Sequence, residues 1–233
     1  MDLIVQGLGG AVAKLAALDP DVIDAAIASI VVSGTATVLA VLTGVPLGAL
    51  IGLARFRGRR LLLSLVNTGM GLPPVVVGLF VVVLLWRSGP LGDLNWYCTR
   101  QGMVIAQYLL AAPTVVGLTA IGLQNQDPLL RMQLLSLGAS RWQAAALLVR
   151  ESRLLVLGAV IVGFGAVISE VGASQMVGCN VKGDTRVLTT AIALETSKGE
   201  FGSAFALGFI LLAVIFMITA YITYTQQRRP HFG

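Results

Sequence analysis

The sequence predicts an all-α, polytopic membrane protein with five transmembrane helices, and three observations carry that reading. The first is composition. Of 233 residues, 56% are hydrophobic and only 12% charged, with a mean hydropathy of +0.87. Soluble domains carry roughly 25% charged residues, and a soluble chain this apolar has nowhere to bury its surface. The second is the spacing of the charges. None falls between Asp24 and Arg55, Arg60 and Arg87, Arg100 and Asp127, or Glu200 and Arg228, and the stretch after Arg153 is interrupted only by Glu170 before Lys182. Each run exceeds the roughly 20 residues that cross a bilayer. The third is a polar, arginine-bearing stretch, 124–153, set between two apolar runs. Its polar groups are too costly to leave in lipid, so it lies in water or against protein.

The elements follow in order. Before the first run, Leu3, Ile4, Leu8, Val12, Leu15 and Leu18 recur at near-helical spacing. Residues 1–24 therefore read as an extracytoplasmic segment with a short amphipathic helix on the outer membrane surface; a poorly ordered tail is the alternative. The start, Met1-Asp2-Leu3-Ile4, lacks the basic region of a cleavable signal peptide. Residues 25–225 form one membrane domain. Span one covers 27–54. Ser33, Gly34, Thr35, Ala36 and Thr37 give it a small-residue face for close helix packing, and Gly44, Pro46, Gly48 and Gly52 predict a kink near its inner end. Span two covers 61–86 and is expected to break at Pro73-Pro74, flanked by Gly69, Gly71 and Gly78. An outer loop, 88–100, carries Trp96 and Tyr97 as interfacial aromatics. Span three covers 102–123, with Pro113 midway.

The polar stretch 124–153 reads as two short helices joined by a tight turn. Asp127 caps the first, with Pro128 as its first residue. Gly138 ends it in a left-handed conformation, and Ser140 caps the second. The competing reading is an ordinary connecting loop. Span four covers 154–177 and is dense in glycine: Gly158, Gly163, Gly165 and Gly172. Residues 178–201 are polar, with a short helix expected over 185–196. Span five covers 202–224, and 226–233 form a tail.

Charge placement orients the chain. Arg55, Arg57, Arg59 and Arg60 crowd the first short loop, Arg131, Arg141, Arg150 and Arg153 lie in the polar stretch, and Arg228 and Arg229 follow the last span. These regions fall on one side of a five-span chain, and by the positive-inside rule that side is the cytoplasm. The N-terminus is then outside, with Asp2, Asp19, Asp21 and Asp24, and the C-terminus cytoplasmic. The net charge of +5 is thus an orientation signal, and no free basic domain supports nucleic-acid binding.

Few residues suggest chemistry. There is no Walker phosphate loop, paired carboxylate set or serine–histidine–aspartate arrangement. The lone histidine, His231, and the two cysteines, Cys98 and Cys179, offer no metal set. Both cysteines fall on the outer side, where they either pair or remain unrelated thiols. Glu170 is the one charge within a span, which makes it either a proton-coupling group or a carboxylate near the outer end, hydrogen-bonded to Ser169 or Ser174. Lys182 and Arg186, with Thr185, Thr189 and Thr190, form an outer polar cluster with donors suited to an oxyanion; the alternative is a headgroup-facing loop with snorkelling cations.

The run Leu137-Gly138-Ala139-Ser140-Arg141-Trp142 resembles the cytoplasmic loop of ABC-importer permeases, in which a coupling helix docks on the ATPase subunit. Two features depart from that family. Its glutamate–alanine–alanine triplet falls at Met132, Gln133 and Leu134. Its far-end proline is replaced by Glu151, which leaves the coupling helix free to run on into span four. Ser33 to Thr37, Gly44 to Gly48 and Gly71 to Gly78 resemble the family's first two core helices. The segment from Ile168 to Gly202 looks like the permease of tungstate importers, related to molybdate and sulfate permeases. There glycine usually stands at the position of Cys179, so a disulfide is not a family trait.

The resemblance implies a type I ABC importer fold and a homodimer in the bacterial or archaeal cytoplasmic membrane. It implies a separate ABC ATPase that binds ATP and Mg, and an extracytoplasmic binding protein that delivers tungstate or molybdate. It implies no cofactor in this chain. The rival readings are an ion-coupled secondary transporter using Glu170, a non-transporting scaffold, and an ABC permease for sulfate or an amino acid.

Overall fold

Helix boundaries follow local chemistry at most points of the computed structural model. It describes residues 4–5, 8–10, 12–13, 17, 19–54 and 56–227, with side chains to Tyr224. Of the residues that suggested an N-terminal amphipathic helix, Leu3, Leu15 and Leu18 lie outside the described residues. So do Asp2, Arg55 and the tail with Arg228, Arg229 and His231. Ile4, Leu8 and Val12 are helical and exposed.

Helix α1 (Pro20–Leu53) opens with Pro20 behind Asp19, whose carboxylate accepts the Asp21 N–H at 3.0 Å. It begins before the expected start of span one and runs unbroken through Pro46. Ala25, Ala28, Val32, Ala36 and Ala40 bury a stripe at helical spacing, continued by Gly44 and Gly48. From Ala28 onward that stripe meets α4 (Arg100–Gln124), which also touches the helices Arg59–Met70, Pro74–Leu85, Arg153–Ile168 and Gly172–Gly178. Gly44, Gly48 and Gly52 of α1 serve this approach. A Cβ on Gly48 would stand 2.7 Å from the Cβ of Thr119 and from the Val116 carbonyl oxygen.

Span two is broken as expected. Helices α2 (Arg59–Met70) and α3 (Pro74–Leu85) meet at 99°, because neither Pro73 nor Pro74 has an N–H to continue the ladder. At 12 residues, α3 is about 18 Å long and does not cross a bilayer alone. Val77, Val81 and Leu85 of α3 pack with Ala106, Ala173 and Val177.

Two expectations for span four are corrected. Helix α6 (Arg141–Glu151) does not run on into α7 (Arg153–Ile168); the two bend by 67° at Ser152. The Leu148 carbonyl, at the end of α6, receives both the Ser152 N–H and the amide of Gln126 from outside the helix, and such an inserted donor bends a helix without proline. Nor is 154–177 one helix. It stops at Ile168 and restarts as α8 (Gly172–Gly178). After a polar loop, α9 (Leu188–Ser197) covers much of the expected 185–196 helix and packs with Val22 and Ala25 of α1 and Ala206, Leu207 and Ile210 of α10 (Phe201–Gln227). Helix α5 (Pro128–Ser136) precedes α6. Among the described residues three helices are long and apolar enough to cross a membrane, and up to five spans result if each bent pair counts as one. The described residues contain no strand.

The end of the bundle that holds the start of α1 is tied covalently and ionically. Cys98 and Cys179 form a disulfide across 81 residues of sequence, which settles the open question of their pairing. Lys182 meets Asp21 at 2.7 Å and Arg100 meets Asp184 at 3.1 Å.

Replacing Gly48 with leucine is expected to lower stability by about 1–3 kcal/mol through overpacking, read as a fall in the melting temperature of the purified protein. Gly34→Ala, where an added Cβ meets nothing within 4 Å, is expected to leave that temperature unchanged.

Candidate functional site

The polar stretch forms a helical knuckle whose geometry is set within a few residues at each corner. The Asp127 carboxylate accepts the Leu129 N–H at 2.8 Å and starts α5. Gly138 turns the chain at φ +87°, a conformation side chains with a Cβ disfavour. The N–H groups of Gly138 and Ala139 bond to the carbonyls of Leu135 and Leu134, both at 3.1 Å. Ser140 and Gln143 then cap α6 reciprocally: the Ser140 N–H donates to Gln143 Oε1 at 2.8 Å, and the Gln143 N–H to Ser140 Oγ at 3.3 Å.

This closure presents an apolar tip. Leu137 is 85% and Trp142 81% exposed. Gly138, Ser140 and Arg141 are exposed beside them, and Ala139 is half-buried. Removing a large apolar side chain from water is favourable by about 1.5–3 kcal/mol.

Behind the tip, the knuckle meets the end of α1. The last turn of α1 has no cation of its own, and its final carbonyls lack intrahelical donors. Arg59 Nε donates to the Ile51 carbonyl at 2.7 Å and its Nη2 to the Gly52 carbonyl at 3.2 Å. Arg131 Nη1, from α5, donates to the Leu53 carbonyl at 2.7 Å. Such charge-assisted bonds contribute about 1.5–3 kcal/mol each, and the cations complement the helix dipole. A cleft of about 560 Å³ lies between these parts, lined among others by Arg59, Gln126, Asp127, Arg131 and Leu148. Sequence reasoning took Arg59 and Arg131 only as orientation signals. The available sign was the last turn of α1, Leu50 to Leu53, whose carbonyls need donors that the turn itself does not supply.

At the opposite end the polar residues singled out in the sequence each have a defined partner. Glu170 lies between α7 and α8, in neither helix. Its Oε1 accepts the Ala173 N–H at 3.0 Å, and its carbonyl accepts from the Thr189 hydroxyl at 2.9 Å. The expected partners are engaged elsewhere: Ser169 donates to Gly165, and Ser174 accepts from Gln107. The carboxylate therefore holds the start of α8.

The three threonines are buried, and the hydroxyl of each donates to a backbone carbonyl. Thr185 donates to the Gly178 carbonyl and accepts the Val181 N–H at 2.9 Å. Thr190 donates to the Val187 carbonyl at 3.0 Å and accepts the Val187 N–H at 3.1 Å. Lys182 pairs with Asp21, and Arg186 with Asn180. Among the described residues no group of three or more metal-binding side chains occurs.

With this geometry in view, similarity to known proteins is informative. Residues 44–230 match the family described as binding-protein-dependent transport system inner membrane component. The chain is 39% identical over 227 residues to the tungstate uptake system permease protein TupB of Peptoclostridium acidaminophilum, covering 97% of this chain and 100% of that protein. It is 33% identical over 228 residues to the TupB protein of Campylobacter jejuni, covering 98% and 95%. The fold is shared with a bacterial ABC transporter involved in the import of the acidic polysaccharide alginate, at a TM-score of 0.61 and 18% identity, over 90% of this chain and 80% of that one.

Glu170→Gln keeps an acceptor for the Ala173 N–H and is expected to leave melting temperature and transport within about twofold of wild type. Glu170→Leu removes the acceptor and is expected to cost about 0.5–2 kcal/mol of stability. A proton-coupling carboxylate would instead lose transport in the glutamine variant.

Proposed function

This chain belongs to the family of inner membrane components of binding-protein-dependent transport systems, and from that premise we propose that it is the permease of an ATP-driven importer for tungstate or molybdate. It is a transport subunit; ATP is hydrolysed by a separate chain. The observation that carries the reading is the doubly capped knuckle with Leu137 and Trp142 in water, supported by the 39% identity to a tungstate uptake permease over the whole of that relative.

In this reading the ATPase receives the tip formed by Leu137, Gly138, Ala139, Ser140, Arg141 and Trp142. ATP binding closes two ATPase subunits on each other, and the knuckle follows. The spans then rock from inward-open to outward-open, and a binding protein docked at the disulfide-tied end releases its anion into the passage. Rigidity suits the task, because a floppy loop would dissipate the displacement. The end with the knuckle carries Arg57, Arg59, Arg60, Arg131, Arg141, Arg150 and Arg153, which supports placing it in the cytoplasm with the N-terminus outside.

A homodimer completes the assembly. Among the described residues α2 buries no side chain, and α3 leaves Val75, Val76, Leu79, Phe80 and Val83 exposed on one side. The helix break between α2 and α3 exposes backbone groups that hydrocarbon does not tolerate, so protein or a water-lined passage has to cover it. A second copy supplies both, with the passage along the axis between the two.

Reconstitution in proteoliposomes with the partner ATPase and binding protein tests the reading. Tungstate uptake is expected only with ATP and both partners; uptake driven by a proton gradient alone would support the ion-coupled carrier instead. Trp142→Ala is expected to weaken association with the ATPase by about tenfold or more, measured by co-purification and titration. Gly138→Val strains the left-handed turn although space is open there, and is expected to leave ATP hydrolysis while reducing uptake.

A further inference from the structure

We propose that Arg131 and Gln126 are positioning residues that lock the knuckle to the inner ends of three spans, so that its displacement reaches the membrane domain. The inference rests on the coupling role given to the knuckle above and adds the parts that transmit it.

Apolar packing behind the knuckle is thin. Among the described residues α5 buries no side chain, and α6 buries only Ala144 and Leu148. A cleft separates much of the knuckle from α1. Polar links therefore have to fix it, and two are found among the described residues.

Arg131 reaches from α5 to the Leu53 carbonyl, 78 residues away in sequence. It thereby joins the first helix of the knuckle to the end of span one. Arg59 caps the neighbouring carbonyls from only seven or eight residues away, so it closes a local turn and transmits nothing from the knuckle.

Gln126 lies where α4 gives way to α5. Its amide nitrogen donates to the Leu148 carbonyl at 3.2 Å and to the Ser152 hydroxyl. Ser152 is the bend between α6 and α7. The chain thus enters and leaves the knuckle through one knot, and that knot joins spans three and four. Gln126 is held there by these two bonds from its amide nitrogen. Knuckle, α1, α4 and α7 then move as one body. Arginine suits the longer link because its guanidinium is a fixed, permanently charged fork.

The test uses the whole complex in proteoliposomes, reading tungstate transported per ATP hydrolysed. Arg131→Met keeps the aliphatic stem and removes the donors. It is expected to lower that ratio by at least about tenfold while the ATPase stays bound and hydrolyses, and Arg131→Lys is expected to restore much of it. A ratio in Arg131→Met within about twofold of wild type overturns the proposal. Leu53→Cys with Arg131→Cys provides an independent arm, joined by a short bismaleimide that spares the native disulfide. Unlinked, this variant is expected to be uncoupled; linked, it is expected to recover transport. Linked complexes that bind ATP but stall also overturn the proposal, because they show that knuckle and span must slide past each other. If Arg131→Met does not accumulate, the linked variant decides. A wild-type chain that transports without the ATPase defeats the coupling role itself, and that result is read before any variant.

Discussion

Apolar side chains gain little by leaving lipid for one another, so helices in a bilayer hold together largely by how closely their surfaces fit. Here α1 meets α4 through a stripe of alanine, serine, threonine and glycine, and Gly48 lies so near Thr119 and Val116 that even a methyl group is crowded. That contact makes α4 the axis of the fold. Helices α2, α3, α7 and α8 all lean on it, and the two ends of the bundle become distinct working surfaces because α1 and α4 hold them apart.

One working end is fixed by bonds between loops. The Cys98–Cys179 disulfide, the Lys182–Asp21 and Arg100–Asp184 pairs, and the Ser29 hydroxyl accepting the Leu188 N–H at 2.8 Å all converge there. Such an end suits docking, since its shape does not have to be ordered when a partner arrives. The other end is built oppositely. Its tip is apolar and open to water, and its attachment is polar and confined to a few side chains. In the proposed coupling role this division is useful: the tip is free to dock, while the links behind it resist shear.

Helix breaks show how legibility varies along one chain. The break in span two was readable because proline lacks an N–H and its effect is local. The break after Ile168 was not, because Ser169, Glu170 and Val171 include no residue that forbids a helix. It is held by the Glu170 carboxylate on α8 and by the Thr189 hydroxyl from α9. The same is true of Ser152, bent by a glutamine 26 residues away. Burial was equally hard to read: Thr185, Thr189 and Thr190 stand in a polar stretch, yet their hydroxyls bond to backbone carbonyls and they are buried.

The sequence by itself determined the membrane class, the runs able to span, and the corners of the knuckle. Each of these depends on composition or on bonds between residues a few positions apart, as in the Ser140–Gln143 box or the Asp127 cap. Only the tertiary structure decided which distant polar groups meet: Arg131 with Leu53, Gln126 with Ser152, Cys98 with Cys179. The reason is geometric. A hydrogen bond within one helical turn follows from the backbone conformation alone, whereas one between residues 26 or 78 apart exists only after packing has brought the two helices into register.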